Sequence, residues 1–379
     1  MGVVSKIIKR AKLSDAAGRV LSPFASSQRP LPEFSDAMEA LSKIRPDCGS
    51  SCLWNRGIES QTDEYDIAVI VPVYNAGDYL RSCLDSVLTQ KTRFSFRVIA
   101  VDDGSTDDSA AVLASFTDSR LIVAAQENRG AAAARNAGLR LCRARYVLFL
   151  DADDVLLPDC LETLVAFSDE HHADILQTAY RVIDESGNVR QTVSIPGLEG
   201  YGGVIDPVAQ CTGFIGDGKL FRAELFDHIC FPESYSFEDS VLAQILLPLA
   251  ERDRLAVFGL NFPSVGYRTH PGSTTNRSKT SPKSVDSLWI TLSLYRDRQS
   301  LGLVSDQAYY EYLLNMQSLT WRRVERLGDA VLIEVFTVFR DFLLGNFPTF
   351  RSARPAFRML EDALRDGDFG KYRLFCMLH

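Results

Sequence analysis

The stretch Tyr146-Val147-Leu148-Phe149-Leu150-Asp151-Ala152-Asp153-Asp154 joins an apolar run directly to a turn that holds three carboxylates. A continuous run of β-favouring residues predicts a strand that is covered on both faces, as strands in parallel sheets are. Ligands of such sheets bind beyond the carboxyl ends of the strands. The stretch therefore predicts a buried strand of an α/β protein that carries acidic side chains to a ligand site.

The three carboxylates of this turn repel one another unless a cation lies between them. Oxygen ligands suit hard divalent ions, and proteins commonly hold such ions with one or two carboxylates together with substrate phosphates. The turn therefore predicts a metal-bound diphosphate, with Mn²⁺ or Mg²⁺ as the cofactor. The alternative is a polar loop whose acids merely precede a helix that begins at Pro158.

The composition of the 379-residue chain is that of a soluble protein, with 46% hydrophobic and 24% charged residues. Its net charge of −8 argues against a nucleic-acid partner, because such proteins usually present a basic face. The sequence shows neither an apolar run of membrane-spanning length nor a secretory signal, so we expect a cytoplasmic protein. The eight scattered cysteines fit small apolar residues in a reducing compartment.

The first part of the chain, residues 1–61, is predicted to be an arm or linker. Residues 3–12 place apolar side chains at helical spacing with lysine and arginine between them, which predicts a short basic amphipathic helix. Such a helix lies on an anionic membrane surface or docks on the protein's own body, and the sequence leaves both alternatives open. A second short helix is expected at residues 34–44.

Strand and helix patterns alternate four times after residue 66, which is the signature of a parallel α/β sheet. Right-handed crossovers then bring the polar ends of the strands to one edge of the sheet. From about residue 281 onward the pattern is helical and rich in aromatic residues. The expected strands of the sheet are residues 67–73, 96–101, 120–125 and 146–150, and later 174–183 and 189–193.

Four blocks of the sequence resemble the family 2 glycosyltransferases with the GT-A fold, in the order and at the spacing of that family. The resemblance covers residues 66–275. The blocks are Val71-Pro72-Val73-Tyr74-Asn75, Val101-Asp102-Asp103-Gly104-Ser105-Thr106-Asp107, Asn128-Arg129-Gly130 with Ala134-Arg135-Asn136-Ala137-Gly138, and Phe149-Leu150-Asp151-Ala152-Asp153-Asp154, which contains a DxD motif.

The resemblance implies a GT-A domain at residues 62–278, with a Rossmann-like, mostly parallel sheet flanked by helices, and a helical C-terminal extension at residues 279–379. It also implies an inverting, metal-dependent enzyme that transfers a sugar from a nucleotide-diphospho-sugar, most often a UDP-sugar. The acceptor would be a hydroxyl of a glycan or lipid-linked molecule, in polysaccharide or glycan biosynthesis. The sugar, the linkage and the oligomeric state are not encoded in these blocks.

The expected nucleotide contacts follow from the first blocks. Tyr74 would lay its ring against the base, and Asp103 would accept the imide hydrogen of uracil. Arg135 lies on a helix that Gly130 opens, where an anion is favoured, and it would contact the diphosphate or the donor sugar. The structural alternatives are that Tyr74 only packs, that Asp103 is a turn residue, and that Arg135 is a surface arginine. The full expected nucleotide-sugar set is Pro72, Tyr74, Asn75, Asp103, Arg135 and Asp151.

The expected chemistry lies further along the chain. The resemblance implies that Asp239 is the general base, with Glu238 as the substitute. The sequence also predicts a helix that begins at Phe237, and a capping box formed by Ser236 and Asp239 would place Asp239 at the third helical position. The resemblance further implies that His270 lies against the metal or diphosphate. Asp151 would face the ribose or share the metal with Asp153.

Two alternatives stay open for the basic residues Lys219 and Arg222. They would lie near phosphate or acceptor, or else form structural ion pairs with the many acids.

Two rival functions also remain for the protein. A nucleotidyltransferase would need a glycine-rich phosphate loop that the residues after Val71 do not form, and a catalytically silent sugar-nucleotide-binding or glycan-binding module would keep only the fold.

Overall fold

The apolar runs that follow Glu64 become strands of one mixed sheet in a computed structural model of the protein. The structure describes residues 30–57, 64–273 and 280–378. Within those ranges the chain forms two compact units, a sheet unit of residues 48–57, 64–273 and 290–303 and a helical unit of residues 30–47, 280–289 and 304–378.

The strands of the sheet are numbered in chain order: β1 (Tyr65–Val73), β2 (Phe96–Asp102), β3 (Leu121–Ala125), β4 (Ala144–Phe149), β5 (Val155–Leu156), β6 (Ile175–Ile183), β7 (Val189–Val193), β8 (Gly202–Val204), β9 (Leu220–Arg222) and β10 (Val257–Arg268). The sheet begins with four parallel strands in the order β3, β2, β1, β4. Beyond β4, the short β9 runs antiparallel, and it is followed by the parallel pair β6 and β10. Strands β5, β7 and β8 are antiparallel additions.

Helices alternate with the first four strands and then dominate the C-terminal part of the chain. The expected fold class, an α/β sheet with a helical C-terminal extension, is confirmed. The α-helices are α1 (Phe34–Ile44), α2 (Gly77–Leu88), α3 (Ser109–Ala114), α4 (Ala131–Leu141), α5 (Cys160–His171), α6 (Leu247–Arg252), α7 (Asp286–Ser300), α8 (Gln307–Val324), α9 (Asp329–Asn346), α10 (Arg358–Asp366) and α11 (Phe369–Leu378). A π-helical turn, Leu242–Leu246, directly precedes α6.

Strand β1 is buried on both faces, as its uninterrupted apolar sequence predicts. Val69 and Val71 belong to the same core cluster as Leu80 and Leu84 of α2. On the opposite face, a Cβ added to Gly138 of α4 would lie 2.5 Å from Ile70. The glycine therefore lets α4 approach the strand closely, which fixes where the residues of α4 lie above the sheet.

The carboxyl ends of β1, β2 and β4 meet at one edge of the sheet, as expected from the alternating pattern. Val73 pairs with Asp102, and Ile70 pairs with Phe149. The chain leaves each of these strands at that edge. Tyr74, Asp103 and the acidic turn after Leu150 consequently start from the same side of the sheet, although they are far apart in sequence.

The helical unit includes the short helix that the sequence predicts before the sheet. Ala37 and Leu41 of α1 are fully buried, and α1 packs against α9. Arg45 places its Nε 2.7 Å and its Nη2 3.0 Å from the two carboxylate oxygens of Asp286, whose side chain is inaccessible to solvent. Residues 30–47 thus group with the C-terminal helices, whereas the sequence-based division ends the arm at residue 61.

The expected basic amphipathic helix at residues 3–12 lies outside the described residues. None of the helices in the described ranges combines the length and apolarity needed to cross a membrane.

Candidate active site

The acidic turn forms at the tip of β4. The amide of Leu150 still bonds to the carbonyl of Ile70, at 3.0 Å, and the chain then turns so that the amide of Asp154 bonds to the carbonyl of Asp151, at 3.0 Å. The side chains of Asp151 and Asp153 remain about one third exposed, whereas Asp154 is buried. The turn therefore presents two of its three carboxylates outward.

Asp153 meets His270, as the resemblance implies for a metal or diphosphate site. Nε2 of His270 lies 2.9 Å from Oδ2 of Asp153, and the histidine ring packs against Tyr79 with 4.8 Å between ring centroids. Burial, and then the charge of Asp151, raise the pKa of the Asp153 carboxyl, while its hydrogen bond to His270 opposes that shift. The pair thus combines an oxygen donor and a nitrogen donor beside the charge of Asp151.

Asp154 supports the turn from inside. Its Oδ1 accepts a hydrogen bond from the backbone amide of Arg268 at 2.7 Å, while its Oδ2 is buried without a hydrogen-bond partner. Burial, and then the charge of Asp153, raise the pKa of Asp154 well above its ordinary value. A buried carboxylate oxygen without a hydrogen-bond partner is costly, so Asp154 holds the turn at an energetic cost.

Arg268 is a site residue that the sequence-based reasoning missed. Its Nε donates to the carbonyl of Asp153 at 2.7 Å, and its Nη1 donates to the carbonyl of Glu185 at 2.7 Å. The guanidinium also lies over the ring of Tyr79, 5.1 Å from the centroid. Arg268 therefore fixes the acidic turn against β10 and the β6–β7 hairpin, and its position two residues before His270 was the only sequence signal.

Arg135, expected to contact the diphosphate or donor sugar, bonds to two carboxylates in the structure. Nη2 lies 2.7 Å from Oδ1 of Asp151, and Nη1 bonds to Oε1 of Glu238. Only 3% of Arg135 is exposed. Burial alone would lower the pKa of the guanidinium, but the charges of Asp151 and Glu238 raise it above its ordinary value. Arg135 thus brings the acidic pair of residues 238–239 next to the tip of β4.

The acid pair lies in a turn, not in the regular helix that the sequence predicts from residue 237. Phe237 has a φ of 65°, in the left-handed region. The amides of Ser240 and Leu242 bond to the carbonyls of Phe237 and Asp239 at 3.0 and 2.9 Å. Helical structure begins at Ser240 and includes the π-helical turn. The predicted third helical position for Asp239 is therefore wrong, because Phe237 interrupts the helical conformation.

The expected base-binding residues lie at the ends of β1 and β2. Tyr74 is 48% exposed, so its ring is accessible for stacking. Asn75 has a φ of 50°, its Oδ1 accepts from the amide of Thr106 at 2.8 Å, and its own amide donates to Oγ of Ser105 at 3.0 Å. Pro72 lies within β1 opposite Val101. These contacts tie the two strand ends together beneath Tyr74.

Asp103 is buried and already accepts three hydrogen bonds. Oδ1 accepts from Nε2 of Gln126 at 2.8 Å and from the amide of Arg129 at 2.9 Å, and Oδ2 accepts from the amide of Gly130 at 2.7 Å. A carboxylate offers about four lone-pair sites, so little acceptor capacity remains for a ligand. Asp103 anchors the loop that leads into α4, a role that the sequence-based reasoning did not include.

Lys219 and Arg222 follow the structural alternative. Both the Lys219 and the Asp217 side chains are inaccessible to solvent, and Nζ of Lys219 lies 2.6 Å from Oδ1 of Asp217. The ammonium also donates to Oγ1 of Thr212 at 3.0 Å and to the carbonyl of Phe214 at 2.6 Å. Arg222 pairs with Asp174 at 3.2 Å. Lys219 thus stabilises the interior of the sheet unit, and Arg222 forms a partly exposed ion pair.

Side chains at the acidic turn offer donors for a divalent ion. Across the ranges that the structure describes, no group of three or more histidine, cysteine, aspartate or glutamate side chains is arranged to hold a metal. Asp153 and His270 supply two donors, and the Asp151 side chain bonds to Arg135. Two protein donors fit an ion whose remaining ligands are substrate phosphates and water, and a mixed oxygen and nitrogen set is compatible with Mn²⁺.

The family model for glycosyl transferase family 2 matches residues 68–230. Glycosyltransferase GlyG of Streptococcus pneumoniae is 40% identical over 226 residues, which are 55% of this chain and 72% of GlyG. Glycosyltransferase GlyA of the same species is 37% identical over 221 residues, but the match spans only 31% of GlyA.

A solved structure gives an independent comparison of the fold. The structure of S. aureus TarS residues 1–349, determined in complex with UDP-GlcNAc, aligns with 82% of this chain and 90% of that chain, with a TM-score of 0.64 and 22% sequence identity. At that identity the likeness shows the shared GT-A fold alone. From the match to GlyG along most of that relative, together with the family model, the chain belongs to the family 2 glycosyltransferases.

Proposed function

We propose that the protein is an inverting glycosyltransferase that transfers a sugar from a UDP-sugar to a hydroxyl acceptor in glycan biosynthesis. The observation that carries the proposal is the chain of contacts from Asp151 through Arg135 to Glu238, because it brings an acid pair beside a strand tip that suits a diphosphate. The similarity to the glycosyltransferases GlyA and GlyG supports sugar transfer. The complex of TarS with UDP-GlcNAc supports a UDP-sugar as the donor.

The donor would lie along the carboxyl edge of β1, β2 and β4. The exposed ring of Tyr74 would stack on uracil, and the Asn75 turn would hold that ring at the strand end. Asp103 would act mainly by holding the loop at residues 126–130, with its remaining lone pair toward the imide hydrogen. The ribose and diphosphate would then extend toward Asp151.

The diphosphate needs a cation at the acidic turn. Asp153 and His270 would hold Mn²⁺ or Mg²⁺, with Asp151 beside them, and the bound ion would neutralise the charge of the departing diphosphate. Arg268 and Asp154 would keep Asp153 oriented through the backbone contacts described above. The raised pKa of Asp153 supports this assignment, since positive charge would stabilise its ionised form.

The proposed reaction is a single displacement. Asp239 removes the proton from the acceptor hydroxyl, and the acceptor oxygen forms a bond to the anomeric carbon from the face opposite the diphosphate. The bond between that carbon and the diphosphate oxygen breaks, and UDP leaves with its electron pair. Glu238, which bonds to Arg135, is the substitute base.

The acceptor is proposed to be a glycan or a lipid-linked molecule. The acid pair lies in the turn before α6, on a different element from the exposed Tyr74, and it would contact the acceptor while Tyr74 would contact the nucleotide. The basic segment at residues 3–12 would favour an acceptor presented at an anionic membrane surface.

Mass spectrometry of sugar nucleotides incubated with protein and Mn²⁺ tests the reaction class. We expect free UDP from at least one UDP-sugar and none from GDP-sugars or dTDP-sugars, with heat-denatured protein as the blank. No nucleotide release from any donor would favour a silent binding module. Pyrophosphate release from a nucleoside triphosphate and a sugar phosphate would favour a nucleotidyltransferase.

Calorimetry with UDP tests the metal assignment separately. UDP affinity should fall at least about tenfold when a chelator replaces Mn²⁺, because the diphosphate would then face the acidic turn without a cation. Asp153→Ala should reproduce that loss in the presence of Mn²⁺. Asp85→Ala, at an exposed position on α2, is the matched control and should bind UDP normally. Equal affinity with and without Mn²⁺ would contradict the assignment.

A further inference from the structure

Arg135 is buried, and its guanidinium bridges two acids that have different places in the proposed reaction. Its Nη2 bonds to Asp151 at the donor strand, and its Nη1 bonds to Glu238 beside the proposed base. Its Nε is buried without a hydrogen-bond partner, so its hydrogen bonds to the protein run through the two terminal nitrogens. A planar guanidinium can bridge two carboxylates in this way, whereas a lysine ammonium presents a single point of charge.

The residue after Arg135 holds the same segment of chain. The amide group of Asn136 donates to the carbonyl of Phe231 at 2.8 Å and accepts from its backbone amide at 3.0 Å. The guanidinium of Arg135 lies over the Phe231 ring, 5.6 Å from the centroid. Two successive residues of α4 thus bind the segment of residues 231–238, with Asn136 at its start and Arg135 at its end.

The last of these contacts, from Arg135 to Glu238, lies one residue before Asp239. The turn at Phe237 has a left-handed φ, and the carbonyl of Asp239 is already bonded to the amide of Leu242 at 2.9 Å. Between the anchor at Glu238 and the π-helical turn, the backbone at Asp239 has little freedom. A displacement of Glu238 would therefore be transmitted to the backbone of the adjacent Asp239.

A direct role for Arg135 in donor binding fits these contacts poorly. A diphosphate would have to displace a carboxylate from a side chain that is 3% exposed and paired twice. Such an exchange would leave a partly buried acid without its counter-ion.

We infer that Arg135 is a positioning residue, which aligns Asp239 with the donor by holding Glu238 to Asp151. The inference rests on the proposed function. It extends that function, because Arg135 then acts on the transfer step through Glu238 and makes no contact with the substrate. Loss of the bridge should slow the transfer step while donor binding persists.

The experiment measures kcat for transfer and the UDP dissociation constant in Mn²⁺ for wild type and Arg135→Lys. We expect kcat to fall about 100-fold, since a displacement of about 1 Å in a reacting group costs that much. The UDP dissociation constant should change less than about threefold, because the lost contact is not made to the donor. A tenfold weaker UDP affinity with normal kcat would instead make Arg135 a diphosphate ligand and overturn the inference.

Arg145→Lys is the matched control. Arg145 also bridges two carboxylates, Asp66 at 2.8 Å and Asp169 at 2.9 Å, but it lies at the opposite end of β4. The same change there should leave kcat within about twofold, because it touches neither the donor strand tip nor the acid pair. An equal loss of kcat in both variants would show a general effect of losing an arginine and would refute positioning by Arg135.

Glu238→Gln provides a second route if Arg135→Lys folds poorly. It keeps an acceptor for Arg135 but removes the charge, so kcat should fall while UDP affinity is kept. The double variant should be no slower than the slower single variant, because both changes remove the same bridge. Additive losses would contradict the inference. If wild type itself released no UDP from any donor, the proposed function would fail, whereas normal wild-type turnover with an unimpaired Arg135→Lys would reject only the role of Arg135.

Discussion

Asp103→Asn should destabilise the sheet unit, because Asp103 anchors the loop before α4. An asparagine retains one oxygen, which can serve the side chain of Gln126 and the amide of Arg129, but its NH2 group would face the amide of Gly130. One charge-assisted hydrogen bond is lost outright and two lose their charge, which we expect to cost about 2–3 kcal/mol. Asp103→Ala loses all three bonds and should cost about 3–5 kcal/mol, less than their simple sum because water reaches part of the loop.

Urea unfolding followed by circular dichroism measures these free energies of unfolding. Asp102→Asn is the neighbouring control, because the amide of Ser105 donates to Oδ1 of Asp102 at 2.9 Å and asparagine can still accept this hydrogen bond. We expect this control to cost less than about 1 kcal/mol. Equal stability of Asp103→Asn and Asp102→Asn would refute the anchoring role. Calorimetry on the folded variants should show weaker UDP binding and reduced preference for UDP over GDP and dTDP.

Two further predictions concern buried charge. Because the pKa of Asp154 is raised in the folded protein, protonation of Asp154 favours folding, and this contribution is lost as the pH rises through the raised pKa. In chelator, Asp154→Asn should therefore unfold at a higher temperature than wild type at pH 8, and the difference should shrink at acidic pH; a pH-independent difference would contradict this. Lys219→Met should lower the free energy of unfolding by about 3–5 kcal/mol, because it leaves the buried Asp217 without its cation. Urea unfolding would contradict this prediction if the loss were below about 1 kcal/mol.

The sheet was predictable because its signal is local. The apolar runs that end at Val73 and Phe149 are long enough to require burial on both faces, and the structure forms strands there. The helix predicted from residue 237 fails for an equally local reason, since a left-handed φ at a phenylalanine is not encoded by hydrophobic spacing. The π-helical turn that follows has no simple sequence signature either.

The site was only partly predictable, because its contacts join distant parts of the chain. Asp153 and His270 are 117 residues apart, and only the resemblance to a family suggested that they meet. Arg268 binds backbone carbonyls, which every residue possesses, so no pattern of side chains could reveal its partners. Arg135 was identified as a site residue, but its two carboxylate partners depend on how α4 packs over the sheet.

The same limit applies to Asp103. Its position after β2 correctly indicated a residue at the carboxyl edge of the sheet. The sequence could not show that the loop at residues 126–130 turns back and directs two backbone amides and one side-chain amide at its carboxylate.

Turnover of the preferred UDP-sugar by Asp239→Asn, in a sample that calorimetry shows to bind UDP, tests the central claim most directly. Asparagine keeps the shape of the side chain but removes the basic oxygen, so transfer should fall about 100-fold or more while UDP affinity persists. Near-normal transfer by Asp239→Asn would contradict the proposed base. If Glu238→Gln then abolished transfer while Arg135→Lys did not, the base would have to be Glu238.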